Sequence, residues 1–130
     1  KNKHDKNKTN NNNNNNNSTR TSITNVVTHS SGNHAAALAL AAQLASTTNN
    51  NKNSVHATIV MPRNAPQTKI NGVRGFGGTI VMVDSTNEAR EEEADRIVEE
   101  TGAVFIHPSE NVRVIAGQGT VCLEFVEQVR

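Results

Sequence analysis

The chain has 130 residues with three Phe and neither Trp nor Tyr, and thirteen Lys and Arg against twelve Asp and Glu give it a formal net charge of +1. A length of this order fits one small domain, and near-neutrality leaves no basic field with which to hold nucleic acid or an anionic membrane. No apolar run approaches the ~20 residues of a membrane helix, and the lone Cys122 cannot close an internal disulfide, so the expected setting is a reducing, cytoplasmic compartment.

The first element is the unbroken run Asn10 to Asn17, flanked by Lys, Thr and Ser. It holds no apolar side chain to offset the entropy of ordering, so residues 1–20 are expected to be a disordered, Asn-rich low-complexity segment. The chain opens on Lys1 without a signal-peptide or transit-peptide pattern, which reads as truncation upstream.

From Ile23 to Thr28 a β-branched run predicts a strand, Ser30 to His34 a turn, and the Ala/Leu-rich stretch to Ala45 a helix. After a polar loop, Ser46 to Asn53, the run Val55 to Met61 predicts a second strand, after which Pro62 and Pro66 bracket a turn and open a weaker helix through about Arg74. Gly75-Phe76-Gly77-Gly78 stops it, Thr79 to Val83 is a third strand, and Ser85 with Glu88 forms a capping box for a helix through Glu100. The acidic residues of that helix lie opposite Ala94, Ile97 and Val98 and read as a solvated face. Ala103 to Ile106 is a fourth strand, and a loop through Pro108 and Gly117 leads to a last helix with the stripe Cys122, Phe125, Val126 and Val129. Cys122 is expected to be a buried thiol.

Apolar strands alternating with helices predict an α/β fold, a parallel four-stranded sheet flanked by helices in three layers, with ligands at the carboxyl ends of the strands. That puts Ser30, Ser31, Gly32, Asn33 and His34 at the ligand position, at a helix N-terminus whose free N–H groups and dipole favour a carboxylate or phosphate. The plainer reading is that Ser30 or Ser31 caps the helix and Asn33 closes the turn. No residue from Thr21 to Asn51 carries a permanent charge, so the helix over Asn33 to Ala45 lacks a polar face and is expected to be covered by something beyond this chain. The five histidines lack the i, i+4 spacing of a helical metal pair, and no metal ligand is assigned.

Ser30-Ser31-Gly32-Asn33-His34 matches the substrate-loop motif of fold-type II pyridoxal-phosphate enzymes, the tryptophan synthase beta-like group. Met61-Pro62, Ala65-Pro66, Lys69, Gly77-Gly78-Thr79-Ile80-Val81, His107-Pro108, Ile115 to Thr120 and Glu124 follow in order and spacing. Over roughly Val26 to Val129 the chain thus resembles the serine racemase and serine/threonine dehydratase family. The resemblance implies that Asn33 hydrogen-bonds the ring oxygen of pyridoxal 5'-phosphate and that Ser30, Ser31, Asn33 and His34 surround the substrate carboxylate. It further implies that Ser31 is the catalytic second base, exchanging a proton at Cα opposite the Schiff-base lysine. Ser31 together with His34 leans towards the racemases, whereas Ala36 stands where the family usually has a glutamine linked to nucleotide activation.

The same resemblance places the Schiff-base lysine upstream and the glycine-rich phosphate loop after Arg130, with Lys69 on a structural helix. Residues 21–116 are then the small domain, and residues 117–130 begin the connection to a larger one. The complete enzyme is expected to racemise serine and to eliminate water from serine or threonine, as a cytoplasmic homodimer with a divalent-cation site outside this chain. The competing expectation is a noncatalytic truncated relic that folds as an α/β module.

Overall fold

The computed structural model describes residues 24–48 and 54–130. The asparagine run, the Ile23 start of the first strand and most of the polar loop lie outside the described residues. The elements are β1 (Asn25–His29), α1 (Asn33–Thr48), β2 (His56–Pro62), α2 (Gln67–Gly75), β3 (Thr79–Val83), α3 (Asn87–Thr101), β4 (Val104–Phe105) and α4 (Val112–Gln128).

The four strands form one parallel sheet in the order β3-β2-β1-β4, as the apolar runs predict. Successive side chains alternate between faces, and each face buries its own core. On one, Val26, Ala57, Ile59 and Met61 pack against Ala35, Ala39 and Ala42 of α1 and Ile70 and Val73 of α2. On the other, Val27 and Val60 pack against Ala94 and Ile97 of α3, with Ala103. The acidic residues of α3 lie away from that contact, and Arg96 links Glu93 and Glu100 at the surface. Thr28 is fully buried in β1, and its hydroxyl has no partner among the described residues.

α1 lies against the sheet along Ala35, Ala39 and Ala42, while Ala37, Ala41 and Leu44 on its uncharged outer face remain exposed and are not covered by the described residues. The helix runs three residues further than expected. The Ser46 hydroxyl donates to the Ala42 carbonyl and the Thr48 hydroxyl to that of Leu44, absorbing polar residues that read as loop.

The glycine stop after α2 has two physical parts. Gly77 takes φ +76°, a left-handed backbone that side chains disfavour. Gly78 lies where a Cβ would meet Val73 Cγ1 at 2.8 Å, Ala39 Cβ at 3.0 Å and the Val73 carbonyl oxygen at 3.2 Å. Gly78→Ala is therefore expected to destabilise the fold by about 1–3 kcal/mol through overpacking between α1 and α2. Urea unfolding of the variant reads this directly, and an unchanged midpoint would contradict the packing.

Two boundaries differ from expectation. The cap of α3 is Thr86, whose hydroxyl accepts from the Ala89 N–H at 3.1 Å, and not Ser85, because Thr86 is the residue in extended backbone one step before the helix. α4 begins at Val112, ahead of Gly117, because the Asn111 side chain accepts from the N–H groups of Arg113 and Val114. The expected domain boundary at 116/117 thus falls inside a continuous helix. α4 buries none of its residues, and Cys122 is exposed, correcting the expectation of a buried thiol: the helix lies off the sheet, so its apolar stripe has no core to join.

Candidate active site

In a parallel sheet the connections from neighbouring strands diverge where strand order reverses, leaving a crevice at the carboxyl ends. Here β2 and β3 extend the sheet on one side of β1 and β4 on the other, so the crevice opens at the ends of β1 and β4. The segment after β1 and the segment after β4 meet there. The Ile106 N–H donates to the Val27 carbonyl at 2.8 Å, holding the β4 end against β1.

Past His29 the chain turns at once into α1. The Ser30 N–H donates to the Val60 carbonyl at 3.1 Å, which extends the ladder by one residue, and the Ser30 hydroxyl accepts from the Gly32 N–H at 3.2 Å. That bond closes a turn ahead of α1, which begins at Asn33, and does not reach an N–H of the helix itself. Ser31 is half-buried, and none of the described residues hydrogen-bonds its hydroxyl. The first turn of α1 contains no acidic residue, so its free N–H groups and positive dipole end have no carboxylate in that turn.

His34 Nε2 lies 3.4 Å from the Ile106 carbonyl oxygen, tying α1 across to the β4 end. An acceptor on that side requires Nε2 to carry the proton, leaving Nδ1 as an acceptor. Burial holds the His34 pKa below the usual histidine value, nearby His107 adds to the lowering, and the Ile106 bond partly offsets both. The lowering favours the neutral ring over the charged one. On the α3 side His29, Phe105 and His107 cluster with ring centroids 5.3–5.9 Å apart, over a depression bordered by Glu91 and Asp95. Burial also lowers the His29 pKa, followed by the effects of His107 and Arg90. Among the described residues no three His, Cys, Asp or Glu are grouped so as to hold a metal ion.

The structure thus places Ser30, Ser31, Asn33 and His34 together past the carboxyl end of β1, with Ile106 beside His34 and Lys69 beside Asn33. Lys69 Nζ donates to Asn33 Oδ1 at 2.6 Å, a link across 36 positions that no spacing in the sequence indicates. One signal was present: a lysine in the first turn of α2, where the helix dipole disfavours a cation.

The order of strands defines a parallel α/β domain with the N-terminus of α1 at its switch point. The pyridoxal-phosphate dependent enzyme family model matches residues 9–130, and the chain belongs to that family. It is 52% identical over 75 residues to the serine racemase of Oryza sativa subsp. indica, a match covering 58% of this chain and 22% of that protein. To the L-threonine ammonia-lyase of Thermotoga maritima it is 47% identical over 75 residues, covering 58% of this chain and 19% of that one. The solved maize serine racemase superposes with a TM-score of 0.70 at 53% identity, over 80% of this chain and 29% of that chain. The matched region is thus about a fifth of the length of these curated relatives. No helix among the described residues is long and apolar enough to cross a membrane.

The residues present fit the family's cofactor and an amino-acid carboxylate. Both ligands present anionic oxygens, and the crevice presents donors: helix-end N–H groups, the Ser31 hydroxyl and the Asn33 amide. Gly32 points the same way. A Cβ there would meet nothing closer than Ser30 Oγ at 3.9 Å, and its backbone has no positive φ, so neither packing nor backbone geometry within the described chain demands a glycine.

Proposed function

We propose that this chain forms one wall of the active site of a pyridoxal-phosphate-dependent serine racemase that also acts as a serine/threonine dehydratase. The observation that carries the reading is the α1 N-terminus, with Ser30, Ser31, Asn33 and His34, at the switch point of the sheet, on a chain of this family with serine racemases and an ammonia-lyase among its relatives.

When bound, pyridoxal 5'-phosphate supplies an electron sink that acidifies the substrate Cα. Asn33 donates to the cofactor's ring oxygen. The helix-end N–H groups, with Ser30, Ser31, Asn33 and His34, hold the substrate carboxylate and so fix which face of Cα meets Ser31. The Ser31 hydroxyl then gives or takes a proton at that face, and the helix dipole stabilises its deprotonated form. The bond between His34 Nε2 and the Ile106 carbonyl holds α1 against the β4 end.

The reading extends to a Schiff-base lysine, a phosphate-binding glycine loop and a divalent-cation site outside these residues, in a cytoplasmic homodimer. Its small domain is residues 21–116, with the larger one entered through residues 117–130. The single thiol Cys122 is compatible with a reducing compartment.

The test is to purify the complete protein containing this chain with the cofactor and to follow D-serine and pyruvate formation from L-serine. Both products are expected, and the absence of both would leave a noncatalytic relic. Gly32→Ala separates ligand access from folding. The open space at Gly32 predicts stability unchanged or raised by about 0.4–1 kcal/mol, whereas the added methyl in the crevice is expected to cut kcat/KM by about tenfold or more. A variant that unfolds, or that turns over normally, would contradict this use of Gly32.

A further inference from the structure

The contact between Lys69 and Asn33 determines which way the Asn33 amide faces. A lysine ammonium has three donors and no acceptor, so the atom 2.6 Å from Nζ is the amide oxygen. With Oδ1 taken, the two N–H donors of Nδ2 are what Asn33 has left to offer. Free to rotate, the same side chain would present an oxygen and a nitrogen about equally, and an oxygen facing an anion is repulsive.

Lys69 reaches Asn33 because α2 packs closely on α1: a Cβ on Gly72 would be 4.0 Å from the Ala36 Cβ. Its position is electrostatically unfavourable for the empty fold. Lys69 lies in the first turn of α2 against the first residue of α1, so a cation sits at two positive helix ends, and neither first turn contains an acidic residue. An arrangement of that kind is relieved by an anion arriving from outside the two helices.

We infer that Lys69 is a positioning residue, whose ammonium holds Asn33 Oδ1 so that Asn33 donates to the anionic ring oxygen of the cofactor. The inference rests on the proposed reading of Asn33. Lys69 makes no contact with the reacting atoms; it acts through the amide. Its second effect is to make the apo domain less stable than it would be with a neutral side chain, and the holo domain more stable than it would be with one.

The experiment is a double-mutant cycle in the complete enzyme with Lys69→Met, Asn33→Ala and the pair, reading cofactor dissociation constant, the cofactor's visible absorbance band and the melting temperatures of apo and holo forms. Lys69→Met is expected to weaken cofactor binding about tenfold and to shift the absorbance band. Its apo form should melt no lower than wild type while its holo form melts lower. In the Asn33→Ala background the lysine substitution should add nothing, and Lys69→Arg, which keeps donors for the amide oxygen, should remain within about threefold of wild type. Additive losses in the pair would overturn the inference, since Lys69 would then act on the ligand directly. A Lys69→Met enzyme like wild type beside a weakened Asn33→Ala enzyme would overturn the positioning role alone. An Asn33→Ala enzyme like wild type would remove the cofactor reading of Asn33 and the inference with it. A Lys69→Met apo form that melts lower would make the lysine a structural prop.

Discussion

Replacing Ser31 by Ala in the complete enzyme is expected to lower D-serine formation from L-serine by about 10²–10⁴-fold, the range a positioned acid or base contributes, and to lower pyruvate formation far less. Racemisation requires proton exchange on both faces of Cα. Elimination requires a proton to leave one face and the hydroxyl to depart, so it survives loss of a group on the other. The substitution is also clean: Ser31 is half-buried, and none of the described residues hydrogen-bonds its hydroxyl, so thermal stability should stay within about 0.5 kcal/mol of wild type. Parallel assays of both products on one preparation give the ratio. Equal loss of the two would remove Ser31 as the second base and leave it a carboxylate ligand.

Ile59→Ala is expected to destabilise the domain by about 2–5 kcal/mol, a large share of the 5–15 kcal/mol available to a typical domain. Ile59 is fully buried in β2, with β1 on one side and β3 on the other, and faces the alanines of α1 and Ile70 and Val73 of α2. Neighbours as small as Ala35, Ala39 and Ala42 cannot extend into the vacated space, so a cavity remains. Ile115→Ala on exposed α4 removes a similar side chain and should change stability by less than about 0.5 kcal/mol. Urea unfolding of both checks the contrast, and a small loss at Ile59 would mean that the α1 contact is loose.

The sheet was legible because its strands are written in apolar residues bounded by glycine and proline. Thr79–Val83 was read to the residue, and Gly77-Gly78 stopped α2 as expected. Errors fell where local hydrogen bonds decide between equal alternatives. Ser46 to Thr48 are as polar as a loop yet bond back into α1, and both Ser85 and Thr86 could cap α3, with backbone angle choosing between them. Cys122 was misjudged because an amphipathic stripe says that a face seeks cover without saying whether this chain supplies it. At the site, contiguous Ser30 to His34 could be found by motif. The ties from His34 to Ile106 and from Asn33 to Lys69 span 72 and 36 positions and exist only once the sheet has formed.

The strand order also sets a timetable. β1 pairs with β2 across about thirty positions, but with β4 across nearly eighty, as Val26 opposite Ala57 and Val104 illustrates. Closing the longer loop costs more chain entropy and gains only a two-residue strand, so β4 is expected to dock after the other three strands are joined. Pulse-labelled hydrogen exchange during refolding would find the Ile106 amide protected after those of β2, and simultaneous protection would contradict the order. A chain still folding therefore possesses the helix that carries Ser31 and Asn33 before it possesses the far bank of the crevice, and competence to hold a ligand arrives with the last strand.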